Sequence, residues 1–576
     1  MTGILSFSVA TCPHQLVGYW GYDHPQELAN LLTVVLNQAS GNEWNLKSSP
    51  QDLVATLCAG GFNSSSPTNG DAWVKINQNH LILGREAFGR VPFYCVQIEQ
   101  VIWFASRLQL LLPVVASTEV SIPALYGYSC FSYVPTPLTP ITNILAITAG
   151  TEQTWQGDAA SGTIASPQTH QLLEWCEQRE QIYDETEAIS ELQLLLQAGI
   201  EHQIRDLDEQ QPVGVFLSGG LDSSIVAALL VKAGVKVRAY TLDFGESGIP
   251  EYPYAEQVAH WLDIPLVKVE VTPKGIQQAL LPTVEALDLP FGDGVTVPLF
   301  LLNQVASQET KIIFNGEGGD QLFAGWTNKP LIAASVYQTE HPLGKESFEQ
   351  QYLRTFHRLW GYEEQVFQPA VVAQIQALQA QDWLHSALDA TSATSLLHRL
   401  RRATLMLKGA QNIHPRATNL AFAHKLRVRS LFCDLSLAQW TFRLSGELCL
   451  QGSCEKYILK RAVESWLPPE IVWRNKRGMG VPLTSWCLHN WWRNLGVWLN
   501  PAILQTEGRW QPKLAEQIVF GKLGGAIQGR RIGEILWLLI MWQLWRSQVL
   551  GEPVGKQTWN HPFWLPYRYC KGWVQK

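Results

Sequence analysis

Short apolar runs separated by turn residues dominate the first 150 residues of the chain. In the stretch from 71 to 112, "DAWVKINQNHLILGREAFGRVPFYCVQIEQVIWFASRLQLLL", the runs are interrupted at "NQN" and at "FGR". Short runs between such turn residues are typical of antiparallel strands joined by hairpins. The pattern therefore predicts a mainly β first domain, with an extended proline-rich loop at 132–144, "SYVPTPLTPITNI".

A different pattern follows the stretch at 154–171, which is rich in Gly, Ala, Ser and Thr and which we interpret as linker. At 185–207, "ETEAISELQLLLQAGIEHQIRDL", apolar residues recur every three or four positions, which indicates a helix. From Val213 onward, apolar strands such as "VGVFL" and "KIIFN" alternate with helical stretches. This alternation predicts an α/β fold with a doubly wound parallel sheet, followed by a mainly helical C-terminal part.

These patterns divide the chain into a first domain at 1–153, a linker at 154–185 and a second domain at 186–576 that is helical after about 330. The length of 576 residues agrees with this division. Single hydrophobic cores stop growing at roughly 250–300 residues, so a chain of this size is expected to contain more than one domain.

Composition excludes several classes of protein. The chain carries 43 Lys and Arg against 50 Asp and Glu, and its net charge of −7 gives no general attraction to nucleic acid or to anionic membranes. The most apolar segment, "ILWLLIMWQLW" at 535–545, is shorter than the ~20 residues that a membrane-spanning helix needs, and is predicted to be a buried helix. The ten cysteines lack metal-binding spacing and the start lacks a secretory pattern, so we expect reduced thiols in a cytoplasmic protein.

The stretch "VGVFLSGGLDSSIVAALLVKAG" at 213–234 carries the strongest chemical signal in the chain. Its Ser-Gly-Gly turn lets backbone N–H groups converge at the beginning of a helix, where negative charge is favoured. Asp222 beside a polyphosphate would be repelled unless Mg²⁺ lay between them. The stretch matches neither the Walker loop nor the dinucleotide-binding glycine pattern. It therefore predicts a phosphate site of another kind.

A strand followed by "SGGLDSS" resembles the pyrophosphate loop of the N-type ATP pyrophosphatases, which cleave ATP between its α and β phosphates and adenylate a substrate oxygen. Further stretches resemble the asparagine synthetases in order and spacing: "YTLDFGE" at 240–246, "LDLPFGDGVTVPLFLL" at 287–302, "FNGEGGDQLFAGW" at 314–326, "AHKLRVRSLFCD" at 423–434 and "KYILKRAVESWLPPEIVWRNKRGMGVPLTSW" at 456–486. The resemblance implies ATP and Mg²⁺, and an Ntn-type αββα glutaminase-like domain before the ATP pyrophosphatase domain.

The resemblance also implies roles for individual residues. It places Mg²⁺ at Asp222 and Asp320, with Asp293 approaching the metal and phosphates, and it makes Lys476 the cation that stabilises developing charge and Glu317 the base. The residues expected to bind ATP and pyrophosphate are Leu217, Ser218, Gly219, Gly220, Asp222, Ser223, Ser224, Leu242, Asn315 and Gly316.

Two regions depart from the family pattern. Family members that hydrolyse glutamine carry Cys directly after the initiator Met, whereas this chain has Thr2, so we expect a glutaminase-like domain without that activity. In the second domain, five positions differ from the usual family residues, which suggests a changed acceptor or nucleophile: Leu289, Thr418, Asn419, Arg427 and Leu431.

Three interpretations stay open. The first is a ligase that adenylates a carboxylate, with aspartate as acceptor and free ammonia as nucleophile. The second is an intramolecular amide cyclase of the β-lactam synthetase or lasso-peptide cyclase type, and the third is a nucleotide-binding pseudo-enzyme with a regulatory role. The expected partners are a small-molecule or peptide carboxylate and ammonia or an amine. Nucleic acid and membrane are not expected, and a homodimer is left open.

Overall fold

The computed structural model describes most of the chain. The ranges it describes are 5–9, 14–22, 25–38, 44–49, 52–58, 71–208, 210–245, 248, 250–325, 347–356, 359–476, 478–520, 523 and 529–553.

Two antiparallel sheets form the N-terminal part. Their strands are β1 Leu5–Val9, β2 His14–Gly21, β3 Trp44–Ser49, β4 Asp52–Cys58, β5 Ala72–Asn77, β6 His80–Arg85, β7 Tyr94–Ile98, β8 Val101–Ala105, β9 Leu145–Ala146, β10 Thr151–Asp158, β11 Thr163–Ile164 and β12 Gln168–Gln171. The first sheet has the order β1-β5-β6-β10-β11, with β12 also paired to β10, and the second has the order β3-β4-β2-β8-β7-β9. The break predicted at "FGR" falls between strands, and "NQN" spans the last residue of β5 and the turn before β6.

The two sheets pack face to face around large apolar side chains. Trp20 and Phe104 from the second sheet share one buried cluster with Val74 and Trp155 from the first. The opposite face of the second sheet packs against helices α1 Pro25–Gln38 and α2 Ile122–Phe131. Alternate residues of a strand point to opposite faces, so apolar residues on both sides of β2 and β8 produce these layers. The αββα assignment stays a prediction.

The linker predicted at 154–185 begins too early. Strands β10, β11 and β12 occupy much of 151–171, and β10 pairs with β6 over six residues, from Thr151 opposite Arg85 to Gln156 opposite His80. The small residues at 159–162 form the tip of the β10–β11 hairpin. A run of small and polar residues indicates an exposed segment. Because a hairpin tip and a linker are both exposed, the sequence could not distinguish one from the other.

A parallel sheet organises the second part. Its strands are β13 Val213–Phe216, β14 Val237–Asp243, β15 Leu266–Glu270, β16 Ile312–Asn315 and β17 Arg427–Ser430, in the order β15-β14-β13-β16-β17. Helices α3 Glu185–Ile204, α4 Leu221–Lys232 and α5 Tyr252–Trp261 cover one face, and α6 Pro273–Leu287 and α7 Thr296–Ala306 cover the other. The predicted doubly wound sheet is confirmed in this part of the chain.

Strand β17 was not predicted, because three of the four residues in its sequence "RVRS" are polar. Val428 and Ser430 are buried, whereas Arg427 and Arg429 form ion pairs with Asp206 at 3.6 and 2.8 Å. β17 ends the sheet, and charged side chains are common on such edge strands.

Beyond the parallel sheet the described chain is mainly helical, as predicted. Its helices are Gly319–Leu322, Phe348–Phe356, Glu363–Val366, Pro369–Gln376, Asp382–His385, Leu396–Ala403, His414–Ala423, Leu435–Thr441, Gly446–Cys449, Tyr457–Val463, Pro469–Val472, Leu483–Ser485, Trp492–Trp498, Pro501–Glu507, Leu514–Val519 and Gly529–Leu550, with π-helical segments at Thr404–Ile413 and Trp486–Asn490 and a short hairpin of β18 Leu450–Gln451 and β19 Cys454–Glu455.

The apolar segment at 535–545 lies in the helix Gly529–Leu550 and its side chains are buried, which confirms the predicted buried helix. Tyr128 of α2 donates a hydrogen bond to the carbonyl of Leu538 at 2.7 Å. This helix therefore helps to join the N-terminal sheets to the second part. Among the described helices, none is long and apolar enough to cross a membrane.

Candidate active site

The loop 218–220 connects β13 to α4 at the carboxyl end of the parallel sheet. Gly219 has φ +67, and a Cβ there would lie 2.5 Å from the backbone nitrogen of Ala255, so the turn and its close approach to α5 both require glycine. The Ser224 hydroxyl donates to the carbonyl of Gly220 at 2.8 Å. These contacts hold the beginning of α4 in place, with Asp222 in its first turn.

A second glycine-rich loop follows β16, which lies beside β13 in the sheet. A Cβ on Gly316 would lie 2.7 Å from the backbone nitrogen of Ser223, and one on Gly319 would lie 2.5 Å from the carboxyl carbon of Asp222. Ends of neighbouring parallel strands meet at one edge of a sheet, where ligands bind in this class of fold. The glycines allow the loop that carries Glu317 to pack directly against the first loop.

Two lysines and two aspartates form the charged centre of this edge. Nζ of Lys456 lies 2.7 Å from Oδ1 of Asp222 and also contacts Asp320. Nζ of Lys476 lies 2.8 Å from Oδ2 of Asp320. Burial alone would raise the pKa of Asp320, but the two ammonium groups outweigh it and hold that pKa below its usual range. Burial also opposes the charge on Lys476, yet Asp320 and Asp222 raise its pKa above the ordinary lysine value. Asp320 and Lys476 are therefore charged at neutral pH.

The geometry of Asp222 and Asp320 suits a shared cation. Their carboxylates converge on one ammonium group, so a cation between them would receive an oxygen ligand from each. Mg²⁺ is commonly held by one or two carboxylates, with substrate phosphates and waters as the other ligands. The described residues contain no cluster of three or more His, Cys, Asp or Glu suited to a metal. The pair therefore fits Mg²⁺ that arrives with a phosphate, rather than a site made of protein ligands alone.

Glu317 lies on the other side of this centre, in a second charged group. Nη2 of Arg416 is 3.6 Å from Oε1 of Glu317, and Nη1 of Arg416 is 3.1 Å from Oδ2 of Asp293. Asn412 donates to the same Asp293 oxygen at 2.6 Å. Burial raises the pKa of Glu317, although Arg416 opposes the rise. Asp293 thus pairs with a protein cation, Arg416, which also contacts Glu317.

One cavity of about 700 Å³ joins these groups. Its volume lies within the ~300–1,000 Å³ typical of small-molecule sites. The sequence-predicted residues that line it are Leu217, Ser218, Gly220, Asp222, Ser223, Leu242, Asp293, Asn315, Gly316, Glu317, Asp320 and Lys476. Gly219 and Ser224 lie outside the lining, where Gly219 packs against Tyr254 and Ser224 is fully buried. Their positions support the loop rather than contacting a ligand directly.

The five departures from the family pattern lie elsewhere. All five are described residues, and none of Leu289, Thr418, Asn419, Arg427 and Leu431 lines the cavity. Their neighbours Arg416, Ala417 and Leu420 form the wall there instead. The suggestion that these departures mark a changed acceptor is therefore without structural support. Thr2 lies outside the described residues.

The lining residues that sequence reasoning missed include four charged side chains: Glu251, Arg416, Lys456 and Arg474. The guanidinium of Arg474 stacks on the ring of Tyr254 at 3.4 Å from its centre and donates to the carbonyl of Gly219 at 3.4 Å. Burial raises the pKa of Glu251 to about 7, against the effect of Arg474 and Lys476. Lys456 and Arg474 both lie in the stretch 456–486, which pointed to the region without indicating which cation faces the aspartates.

Comparison with known proteins covers the part of the chain that carries this site. A family model described as asparagine synthase matches residues 194–547, which run from α3 into the long helix Gly529–Leu550. The chain is 24% identical over 494 residues to asparagine synthetase [glutamine-hydrolyzing] 1 of Bacillus subtilis (strain 168), covering 80% of this chain and 75% of the relative.

A second relative, a putative asparagine synthetase [glutamine-hydrolyzing] of Mycobacterium tuberculosis (strain ATCC 25618 / H37Rv), is 24% identical over 516 residues, covering 83% of this chain and 76% of the relative. Among solved structures, the NH3-dependent NAD synthetase from Campylobacter jejuni subsp. jejuni NCTC 11168 is 15% identical, covers 39% of this chain and 96% of that chain, and has a TM-score of 0.20.

Proposed function

This chain belongs to the asparagine synthase family, and on that premise we propose that it uses ATP to adenylate a carboxylate, with aspartate as acceptor, and then transfers the acyl group to ammonia. Membership supports an ATP-dependent amide ligase in general. The observation that carries the finer proposal is the meeting of Asp222, Asp320, Lys456, Lys476 and Glu317 in one cavity beside the glycine loops.

In the first step a carboxylate oxygen attacks the α-phosphorus of ATP. The bond from that phosphorus to the α–β bridging oxygen breaks, and pyrophosphate leaves with the electron pair. Loop 218–220 and the beginning of α4 present backbone N–H groups and the Ser223 hydroxyl to the departing phosphates. Lys476, which is charged and lines the cavity, stabilises the negative charge that develops.

Mg²⁺ held by Asp222, Asp320 and phosphate oxygens would neutralise part of the triphosphate charge, so that a carboxylate can approach. Lys456 now lies between these two aspartates. With Mg²⁺ bound there, the Lys456 ammonium would have to leave this position, because two positive groups cannot occupy one point.

In the second step the nitrogen lone pair attacks the acyl carbon, the bond to the AMP oxygen breaks, and AMP leaves. The nitrogen loses a proton during the attack, and Glu317 accepts it. A buried carboxylate with a raised pKa suits this role, because a base is most effective when its pKa lies nearer the working pH. Arg416 holds the Glu317 carboxylate from one side.

Free ammonia is the proposed nitrogen source, because Thr2 replaces the Cys that hydrolyses glutamine in the family. The same replacement favours a second candidate, the closure of an amide ring within one substrate, in which the nucleophile is part of the acceptor molecule. The two differ in a simple requirement: the first consumes ammonia and the second does not.

Pyrophosphate release from ATP and Mg²⁺ tests the proposal. We expect release with aspartate and ammonium and no stimulation by glutamine, with asparagine and AMP formed in equal amounts. The Lys476→Met change should lower the rate by roughly 10²–10³-fold, the usual cost of losing one stabilising group at a transition state. Lys513→Met is the matched control, because Lys513 is exposed and lies outside the cavity lining.

Three outcomes would contradict parts of the proposal. Glutamine-dependent asparagine formation would overturn the choice of free ammonia. ATP binding without release in the presence of aspartate would overturn aspartate as acceptor. Absence of ATP binding would overturn the ligase itself, provided that the purified chain is folded by circular dichroism.

A further inference from the structure

A loop of the N-terminal part, Arg85–Arg90, contacts the π-helical segment Thr404–Ile413 of the second part. Arg85 is 2% exposed, and the nitrogens of its guanidinium group donate hydrogen bonds to four backbone carbonyls. Three belong to the N-terminal part: Val91 at 2.7 Å, Ile147 at 3.1 Å and Gly89 at 2.6 Å. The fourth is Ala410 at 3.3 Å, within the π-helical segment. Because these four carbonyls accept hydrogen bonds from one buried guanidinium, Arg85 holds the loop and the π-helical segment together.

Three further contacts strengthen this junction. Gly89 has φ +65, and a Cβ there would lie 2.5 Å from the carbonyl oxygen of Ala410, so the loop approaches the helix as closely as a backbone can. The ring of Phe88 meets His414 edge-on at 6.2 Å. The backbone nitrogen of Thr136 donates to Oε1 of Gln411 at 3.0 Å. The N-terminal part therefore contacts this region of the second part at three nearby residues, Ala410, Gln411 and His414.

The π-helical segment Thr404–Ile413 carries part of the active site. Thr404, Lys408 and Ile413 line the cavity. Asn412 donates to Asp293, as described above, and in the helix that follows Arg416 pairs with both Asp293 and Glu317. A π-helix is rare and is often found at functional sites, because its extra residue per turn alters which side chains face inward. The orientation of these side chains consequently depends on how the segment is held.

We propose that the loop Arg85–Arg90, which we name the clamp loop, positions the π-helical segment so that Asn412 and Arg416 hold Asp293 and Glu317 in place for amide formation. The N-terminal part then contributes to the amide-forming site without hydrolysing glutamine. Arg85 and Gly89 are positioning residues, since they act through Ala410 and touch no substrate. The kinetic test of this inference rests on the proposed function, whereas the hydrogen-exchange test rests on the fold alone.

Gly89→Ala and Gly162→Ala form a matched pair for the kinetic test. Both glycines have φ +65 and lie in the N-terminal part, but a Cβ on Gly162 meets nothing within 4 Å. In the full-length chain with ATP, Mg²⁺, aspartate and ammonium, Gly89→Ala should lower kcat/KM for aspartate by roughly ten- to a hundredfold, as small misplacements of reacting groups do. The Kd for ATP should stay within about twofold of the original, because no residue of the clamp loop lines the cavity. Gly162→Ala should change neither value.

Equal losses in Gly89→Ala and Gly162→Ala, or a loss of ATP binding as large as the loss in kcat/KM, would overturn the proposal, because both would indicate general destabilisation. Arg85→Lys keeps the charge but loses the planar fork, and it should fall between the original protein and Arg85→Gln. If Gly89→Ala fails to fold, Gln411→Leu takes its place in the same assay, because this change removes the hydrogen bond from Thr136.

Amide hydrogen exchange at 404–416 separates this inference from the proposed function, because it needs no turnover. We expect faster exchange in Gly89→Ala than in Gly162→Ala at these residues and equal exchange at 221–232 in α4. That result supports the role of the clamp loop even if aspartate gives no pyrophosphate release. In that case only the choice of aspartate as acceptor would be wrong. Unchanged exchange at 404–416 in Gly89→Ala would overturn the clamp.

Discussion

At the residue scale, the site depends on how buried charges are paired. Lys456 is 3% exposed and lies between Asp222 and Asp320, so each of these charges is compensated by another. Removing one partner of such a group leaves an uncompensated buried charge, which costs far more than the pair contributes. The charged centre is thus kept together in the free protein and available for a phosphate when one binds.

Glu251 is a cavity residue whose burial is not fully compensated by neighbouring cations. Its carboxyl group is largely buried and faces Arg474 and Lys476, and its pKa is raised to about 7. The folded protein therefore holds a proton on Glu251 at pH values where the unfolded chain has lost it. This difference costs stability as the pH rises from the ordinary glutamate pKa of 4.5 to about 7, and the cost is complete above that value.

We expect Glu251→Gln to stabilise the ligand-free protein above pH 7 by roughly 1–2 kcal/mol, since one pKa unit corresponds to about 1.4 kcal/mol and partial exposure weakens the effect. Near pH 4 the two proteins should have the same stability, because Glu251 is then neutral in both states. Thermal unfolding between pH 4 and pH 8 measures the difference. Glu270→Gln, at a side chain that is 73% exposed, is the control.

At the element scale, the strand–loop–helix unit of β13, loop 218–220 and α4 could be predicted from sequence alone. An apolar strand, two glycines and an apolar helix determine this geometry locally. The polar edge strand β17 and the hairpin at 159–162 could not be predicted, since their residues suit a loop as well as a strand. What decides between these states is pairing with a distant strand.

Gly219→Ala tests the local geometry against the matched change Gly234→Ala. Both glycines have positive φ, which costs a residue with a Cβ roughly 1–2 kcal/mol, but only Gly219 has backbone atoms within 3 Å of the new Cβ. We expect Gly234→Ala to lower stability by about that amount and to leave ATP binding intact. Gly219→Ala should lower stability further and weaken ATP binding at least about tenfold, because the loop must move. Calorimetric titration with ATP and Mg²⁺ measures the binding, and equal affinities would contradict the role assigned to Gly219.

At the scale of the whole molecule, one continuous hydrophobic core joins a face of the second N-terminal sheet to a face of the parallel sheet. Asp288, at the end of α6, lies at the centre of their junction with 0% exposure. Its carboxylate accepts from the backbone nitrogens of Leu108 at 2.6 Å and Gln109 at 3.1 Å, and its carbonyl accepts from Nε1 of Trp545 at 2.9 Å. The two parts of the chain are therefore expected to unfold together.

Asp288→Asn should destabilise the protein by about 1–3 kcal/mol, because an amide nitrogen cannot accept the hydrogen bond that a carboxylate oxygen accepts and a buried N–H is left unsatisfied. Asp263→Asn is the control, since Asp263 also has positive φ, at +51, but is exposed. Urea unfolding followed by tryptophan fluorescence measures both. An equal effect of the two changes would show that the backbone conformation, rather than the junction, matters at Asp288.

The sequence by itself determined what depends on neighbouring residues: most of the strand and helix order in the second part, the glycine loop, the buried helix at 535–545 and part of the cavity lining. Only the tertiary structure decided which charges meet. Lys456 lies 234 positions from Asp222 along the chain, and Arg85 lies 325 positions from Ala410. Such contacts depend on strand order in the sheets and on helix packing across the core, and local periodicity carries no information about either.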